Sequence, residues 1–312
     1  GGRCYYLNDG GEVWSPTWSP AKADLDRFEA RHGLSYTSIT GERNGIACEV
    51  VFLVPLGSTA EVHRLRLTNT TNHHRSFQLF SLAEFCLWNA GDDQTNYQRN
   101  FSTGEVEVDG SAIYHKTEYR ERRNHYAVYG VNTLIEGFDT DREAFFGLRN
   151  DWSNPEVVRT GRCRNSVASG WAPVGAHQID ISLKPGEQQD LVFVLGYVEN
   201  DADDKWEAPG IANKAKARAL LDRFATSAAV DTALDDLRTY WSNLLNTVSV
   251  STNDPRLDRM INIWNPYQCM VTFNLSRSAS LFETGIGRGM GFRDSNQDLL
   301  GFVHMIPERA RQ

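Results

Sequence analysis

The sequence is poor in cysteine. Its five residues (Cys4, Cys48, Cys86, Cys163 and Cys269) are scattered, odd in number and never in a Cys-x-x-Cys spacing. A disulfide framework and a thiolate metal site are both disfavoured, and the thiols read as buried or free groups of a reducing, cytoplasmic compartment. No apolar run reaches the roughly 18 residues that a membrane-spanning helix needs. Positive charge is not in excess: 32 Lys and Arg against 40 Asp and Glu leave a net charge of −8, whereas nucleic-acid binding needs clustered cations to neutralise phosphates. The basic pair Arg122-Arg123 stands beside Glu118 and Glu121, the pattern of a solvated mixed-charge surface. Also missing are Gly-x-Ser-x-Gly, His-Glu-x-x-His and the Lys-Ser/Thr of a P-loop, so nucleophile-elbow, zinc-protease and nucleotide chemistry lack their usual supports.

The remaining composition is that of a folded globular protein, with 40% apolar and 23% charged residues. At 312 residues the chain exceeds the size at which one core stops growing, so two units are expected. The chain opens Gly-Gly-Arg-Cys-Tyr-Tyr, without an initiator Met or a signal segment, and closes inside a helix-like pattern at Arg309–Gln312. It therefore reads as an internal piece of a longer polypeptide.

Residues 1 to 210 read as β-structure. Asn44-Gly45 is placed to turn a hairpin between 36–40 and 46–54, because both residues tolerate the positive φ of a type I′ turn. A second hairpin is expected at Lys184-Pro185-Gly186-Glu187, between 179–183 and 191–198. Leu65 and Leu67, and then Phe77, Leu79, Ser81, Ala83 and Phe85, alternate with the period of half-buried strands. Many strands with turns between them and little helix predict a large antiparallel β-sandwich.

The pattern changes after Ala208-Pro209-Gly210. Residues 211–249 read as a helical linker, with good helix formers at 215–224 and a second helix capped by Ser227. A third helix is expected from Asp254-Pro255, an acidic cap before Pro at the first helical position. Leu257, Met260, Ile261 and Trp264 form its apolar stripe, and Pro266 is expected to kink or shorten it. A glycine-rich loop, 285–291, leads into a last helix expected to carry Leu299, Leu300, Phe302, Val303 and Ile306 on one side. Residues 250–312 are too few to bury these faces alone.

Three segments hold candidate chemistry. Glycines at 285, 287, 289 and 291 permit close backbone approach to a ligand, beside Arg288, Arg293, Asp294 and Asp298. The two aspartates share a face if a helix starts at Asp294. Either this set binds a ligand, or it is an Arg–Asp network that holds the loop. Arg277 lies among Ser276, Ser278 and Ser280, which fits an anion site or an ordinary salt bridge. The stretch from Glu84 to Asn100 is dense in amides, acids and aromatics suited to sugar hydroxyls and pyranose faces, or else a polar loop capping the sandwich. Trp14 and Trp18 have the same two readings, sugar stacking or anchoring against the core, and His73-His74 reads as solvent-exposed.

At these motifs the chain resembles the cellobiose phosphorylases of glycoside hydrolase family 94. The resemblance rests on Asn8-Asp-Gly-Gly11 with Trp14-Ser-Pro, Phe28-Glu-Ala-Arg-His-Gly33, Ile39-Thr-Gly-Glu-Arg-Asn-Gly45 and Asp92-Asp-Gln-Thr-Asn-Tyr-Gln-Arg-Asn100. It continues through Ser111 to Arg120, Ser166-Val-Ala-Ser-Gly-Trp171 and Glu283 to Phe302. It implies a sandwich over 1–210, a helical linker over 211–249 and the beginning of an (α/α)6 barrel over 250–312. The implied reaction is inverting phosphorolysis of cellobiose to α-glucose 1-phosphate and glucose, with inorganic phosphate as co-substrate and no cofactor or metal. By the same resemblance, Arg288 and Asp294 grip the transferred glucosyl unit and Arg277 binds phosphate. Gln98 and Arg99 contact the departing glucose, reaching across a homodimer interface.

The family's acid, the Asp of Trp-Asn-Asp, has no counterpart here. The Trp-Asn pairs continue as Trp88-Asn89-Ala90 and Trp264-Asn265-Pro266, so no catalytic residue is assigned and the chain alone is expected to be inactive. A related β-glucan or chitobiose phosphorylase, and a non-catalytic carbohydrate-binding module, are the alternatives.

Overall fold

The computed structural model describes residues 2–85, 104–117, 124–170, 173–275 and 291–312. The Asn44-Gly45 turn forms as read: φ is 51° at Asn44 and 72° at Gly45, and Arg43 pairs with Ile46 across the hairpin. A side chain at position 45 would also collide with Thr71, whose Cγ2 lies 2.3 Å from the Cβ site. The chain divides into two compact units, Gly1–Leu234 and Asp235–Gln312.

The first unit is the predicted antiparallel sandwich. One sheet has five strands, in the order Gly137–Asp139, Val174–Leu183, Arg75–Glu84, Arg3–Asp9 and Glu12–Trp14. The other has nine: Ser169–Gly170, Gly104–Asp109, Ala112–Thr117, His125–Val131, Gln188–Glu199, Ala60–Asn69, Ile46–Leu53, Tyr36–Arg43 and Arg27–Gly33. Alternation sorts the side chains into layers. Tyr5, Leu7, Leu65, Leu67, Leu79 and Phe193 fill the core between the sheets. Cys4, Tyr6, Phe80 and Leu82 point the other way, into a second cluster closed by the short helices Arg142–Phe146 and Glu156–Thr160. A third cluster, on the outer side of the nine-stranded sheet, is closed by Ala212 and Ala217 with Leu220 and Leu221. Covering both faces of a strand explains why 75–84 is buried more continuously than simple alternation predicts.

Three sequence expectations need correction here. The turn at 184–187 exists, with Glu187 N–H donating to the Lys184 carbonyl, but it is not a hairpin. Val174–Leu183 pairs with Arg75–Glu84 in one sheet and Gln188–Glu199 pairs with Ala60–Asn69 in the other. Asn69 fixes this crossover: its side-chain amide donates to the Leu183 and Lys184 carbonyls and its own carbonyl accepts from Gly186 N–H. Second, the helix Ser227–Leu245 is capped by Thr226, whose hydroxyl accepts from Ala229 N–H, while Ser227 donates to Asp190. Third, the segment expected to be purely helical starts with a strand, Ile211–Ala212, paired to Trp206–Ala208.

In the second unit Asp254 caps the helix Pro255–Arg259 by accepting from Arg256 N–H, with Pro255 at its first position. Pro266 does not end the helix. The winding changes to a π-helix over Met260–Trp264 and returns to α over Asn265–Asn274, with Pro266 in the first turn of the latter segment. A widened turn is one way a helix accommodates the amide proton that proline lacks. The last predicted helix is shorter than read. It spans Phe292–Leu300 and stops at Gly301, followed by a 3-10 turn, Val303–Met305. Phe302 is buried while Leu300 is 75% exposed. The break coincides with close packing, since a Cβ on Gly301 would lie 2.4 Å from Cys269 Sγ.

Candidate active site

Asp294 is the one proposed binding residue among the described residues. It sits in the first turn of Phe292–Leu300, where a carboxylate is favoured by the exposed N–H groups and helix dipole. Its side chain folds back over Gly291: a Cβ there would be 2.9 Å from Asp294 Oδ2. A side chain at position 291 would require the Asp294 carboxylate to shift, so this glycine leaves room for it. Asp298 follows at i+4 on the same helix face, as expected. Arg293 reaches Asp294 Oδ1 at 3.4 Å but is itself 82% exposed in its side chain, so it forms a loose surface pair and points to no buried site.

Arg277 and Arg288 lie outside the described residues, in 276–290. The helices on either side of that segment are packed together. The Phe273 and Phe302 rings are 5.5 Å apart, and Arg309 donates to the Asn274 side chain at 2.8 Å.

Gln98 and Arg99 also lie outside the described residues, in 86–103, as do Trp88 and the mixed-charge stretch 118–123. Their anchor points can be described. Gly104 pairs with both Thr117 and Gly170, so described residues that flank 86–103, 118–123 and 171–172 lie next to one another. His115 holds this junction together. It stacks on Phe85 with ring centroids 5.0 Å apart, and a Cβ on Gly104 would lie 2.8 Å from its Nε2. The ring is buried, its nitrogens have no hydrogen-bond partner among the described residues, and burial pushes its pKa down to about 4. His115 is therefore neutral near pH 7 and acts as a flat spacer. Beside it, Glu84 accepts from Arg142 at 2.9 Å.

Two histidines that sequence reading passed over are buried as well. Tyr5 and His63 share a 2.6 Å hydrogen bond, with Arg3 paired to Glu61 next to them, and Ser81 meets His177 Nδ1 at 2.9 Å. Burial lowers the pKa of His63 and takes that of His177 to about 3, while it raises Tyr5 well above its usual range. Their only sequence signal was an ionisable residue at an inward-facing strand position. Trp14 is buried in the core, as the bland reading had it, whereas Trp18 is 48% exposed. His73 and His74 are exposed, and the thiols of Cys4, Cys48 and Cys163 are free and buried.

A broad antiparallel sandwich followed by a helical unit defines a β-rich class of protein with added helices. The supersandwich domain of glycosyl hydrolase 94 matches residues 1–227, and the catalytic domain of the glycosyl hydrolase 94 superfamily matches residues 240–312. The chain belongs to glycoside hydrolase family 94. It is 31% identical over its whole length to the N,N'-diacetylchitobiose phosphorylase of Vibrio furnissii, and 27% identical to the solabiose phosphorylase of Paenibacillus borealis. In each case it covers 38% of the relative, so it spans well under half the length of these curated proteins. Among solved structures, a bacterial glucoamylase in complex with acarbose superimposes with a TM-score of 0.51 at 10% identity, over 88% of this chain and 35% of the other, a likeness of fold alone.

Proposed function

We propose that this chain is part of a glycoside phosphorylase whose complete form cleaves cellobiose with inorganic phosphate. The observation that carries the proposal is the placement of Asp294 over Gly291 at the start of Phe292–Leu300, within a segment that keeps the family's residue order from Glu283 to Phe302. A carboxylate held there accepts two neighbouring sugar hydroxyls, and Arg288, six residues earlier in the sequence, supplies a planar donor fork for the same unit. Arg277 is assigned to phosphate, and Gln98 and Arg99 to the leaving glucose.

In the reaction a phosphate oxygen forms a bond to the anomeric carbon as the glycosidic C–O bond breaks on the opposite face. A carboxylic acid gives its proton to the departing oxygen, yielding α-glucose 1-phosphate and glucose. This is the logic of an inverting glycosidase with phosphate in place of the activated water, and it needs one acid. No residue of this chain is assigned as that acid. A cytoplasmic homodimer completes the proposal. It rests on family resemblance; no helix among the described residues is long and apolar enough to cross a membrane.

The similarity to a chitobiose phosphorylase supports a second reading, with N,N'-diacetylchitobiose as substrate. Both are tested together by incubating the full-length protein with each disaccharide, with and without phosphate, and following products by proton and phosphorus NMR. The expected result is phosphate-dependent release of an α-linked hexose 1-phosphate from cellobiose. Cleavage at the same rate without phosphate would replace phosphorolysis by hydrolysis, and selective use of the acetylated sugar would favour the second reading.

A further inference from the structure

One groove of the sandwich unit plays no part in the assignment above. It encloses about 940 Å3, within the range of small-ligand sites, and lies between the loop 15–22, the strands Tyr36–Arg43 and Ile46–Leu53, and the loop around Trp152. Its walls combine two kinds of surface. Phe52 and Trp152 are half-buried aromatic faces. The Trp152 ring is packed against Phe146 at 5.1 Å, and a Cβ on Gly2 would come within 3.3 Å of it, so its position is fixed by the fold.

The polar surface is charged yet balanced. Arg3 and Lys22 face two carboxylates, Glu84 and Asp151. Arg3 is paired with Glu61 and lies 5.6 Å over the Phe52 ring, Glu84 accepts from Arg142, and Asp151 accepts from the Ser153 N–H and hydroxyl. The two cations and two carboxylates of the lining cancel, and Glu61 and Arg142, which pair with Arg3 and Glu84 from outside it, cancel as well, so no net charge favours an anion or a cation. What it offers is fixed hydrogen-bonding groups beside aromatic faces. That combination suits a neutral ligand rich in hydroxyls with apolar ring faces.

The loop 15–22 supplies an independent pointer. Two of its non-glycine residues, Trp18 and Lys22, are held at positive φ (65° and 57°), which costs on the order of 1 kcal/mol or more each and persists only where the surroundings enforce it. The loop is closed by Trp18 N–H donating to Ser15 and Lys22 N–H donating to Trp18. Its outcome is an exposed indole between the groove-lining residues Thr17 and Ser19, with the Lys22 ammonium 5.9 Å from the Trp18 ring. An aromatic side chain kept in water by a strained backbone is a surface available for stacking.

We propose that this groove binds a neutral oligosaccharide, stacked on the Phe52 and Trp152 rings and hydrogen-bonded to the balanced charges. It uses none of Gln98, Arg99, Arg277, Arg288 or Asp294. The choice of a glucose-based probe rests on the function proposed above; the class of ligand rests on the groove. The test titrates cellotriose into full-length protein without phosphate, so that no phosphorolysis occurs, and reads tryptophan fluorescence and saturation-transfer NMR. Thr37→Trp, which fills the groove while leaving its walls in place, is expected to weaken one class of binding at least tenfold with an unchanged circular dichroism spectrum. Lys22→Ala and Asp151→Ala, both at exposed positions, are expected to weaken it about threefold to tenfold.

Cellotriose binding that survives all three substitutions would overturn the proposal, as would the absence of binding at 10 mM-scale concentrations. A preference of the groove for cellobionate over cellobiose would overturn the assignment of a neutral ligand. Groove binding in a protein that shows no phosphate-dependent cleavage would leave this proposal standing while the proposed reaction fell.

Discussion

The two units of the chain treat their apolar side chains differently. In the sandwich, strands such as Arg75–Glu84 are covered on both faces, and Phe77, Leu79, Phe80 and Leu82 are all essentially buried. In the helical unit the stripe read from the sequence is present, yet Leu257, Met260, Ile261 and Trp264 remain 46%, 49%, 37% and 37% exposed. A sheet closed by a second sheet and by short helices completes its own core. A few helices leave a hydrophobic face that calls for a further covering surface.

The sharpest way to break this comparison is to remove bulk from each side. Phe80→Ala in the sandwich is expected to lower stability by about 3–5 kcal/mol in urea denaturation, because the cavity has no means to collapse between two covered faces. Leu257→Ala is expected to cost less than about 1 kcal/mol in this chain, since nearly half of the side chain already meets water. Equal costs would show that the stripe is a core in its own right.

Acid sharpens the same contrast. His115 and His177, with pKa values depressed from 6.5 to about 4 and about 3, belong to the sandwich. Both are neutral in the folded state and take up protons more readily when unfolded. Their stabilising contribution is complete above pH 6.5 and is lost as the pH falls toward 4, at about 1.4 kcal/mol per pH unit for each histidine. Urea midpoints measured between pH 7 and pH 4 should fall accordingly. His115→Phe, which keeps the flat ring against Phe85, should remove part of that slope. An unchanged slope would mean that His115 is not buried as described.

Two further effects concern the helical unit. Asp294→Asn is expected to lower kcat/KM for cellobiose by about 10- to 100-fold in the full-length protein, the size expected for charge-assisted hydrogen bonds to one sugar unit, with the urea midpoint unchanged. An undiminished kcat/KM would remove Asp294 from the binding role. Of similar size in free energy, Gly301→Ala is expected to destabilise by about 1–3 kcal/mol, because the new methyl group meets Cys269. A neutral result would show that the helices Asn265–Asn274 and Phe292–Leu300 can move apart freely.

Much of this architecture was legible because its causes are local. Asn44-Gly45 announced a turn through the φ values its residues accept, and Asp254-Pro255 announced a helix start through an acceptor followed by a residue with no N–H to cap. The turn at 184–187 was equally local and was found. The pairing of its flanking strands was not, because Asn69, more than a hundred residues earlier, directs them into different sheets. The early stop at Gly301 also escaped notice, since the apolar pattern ran on to Ile306 and only the approach of Cys269 makes that glycine a boundary. Asp294 was legible as a carboxylate near a helix start after a glycine-rich stretch, but its binding role too was reached through resemblance. Arg277, Arg288, Gln98 and Arg99 were reached through resemblance, because an arginine or amide in a polar stretch carries no signal that separates a ligand contact from a salt bridge.

By itself the sequence determined where strands and helices begin, which faces are apolar, that the chain holds a sandwich followed by helices, and the family to which it belongs. These follow from backbone preferences and side-chain periodicity, which act over a few residues. Tertiary structure alone decided which strands share a sheet, that His115 bridges Phe85 and Gly104, and that balanced charges and aromatic faces meet in one groove. Each of those outcomes depends on contacts between distant positions, and no local pattern encodes the packing that brings them together.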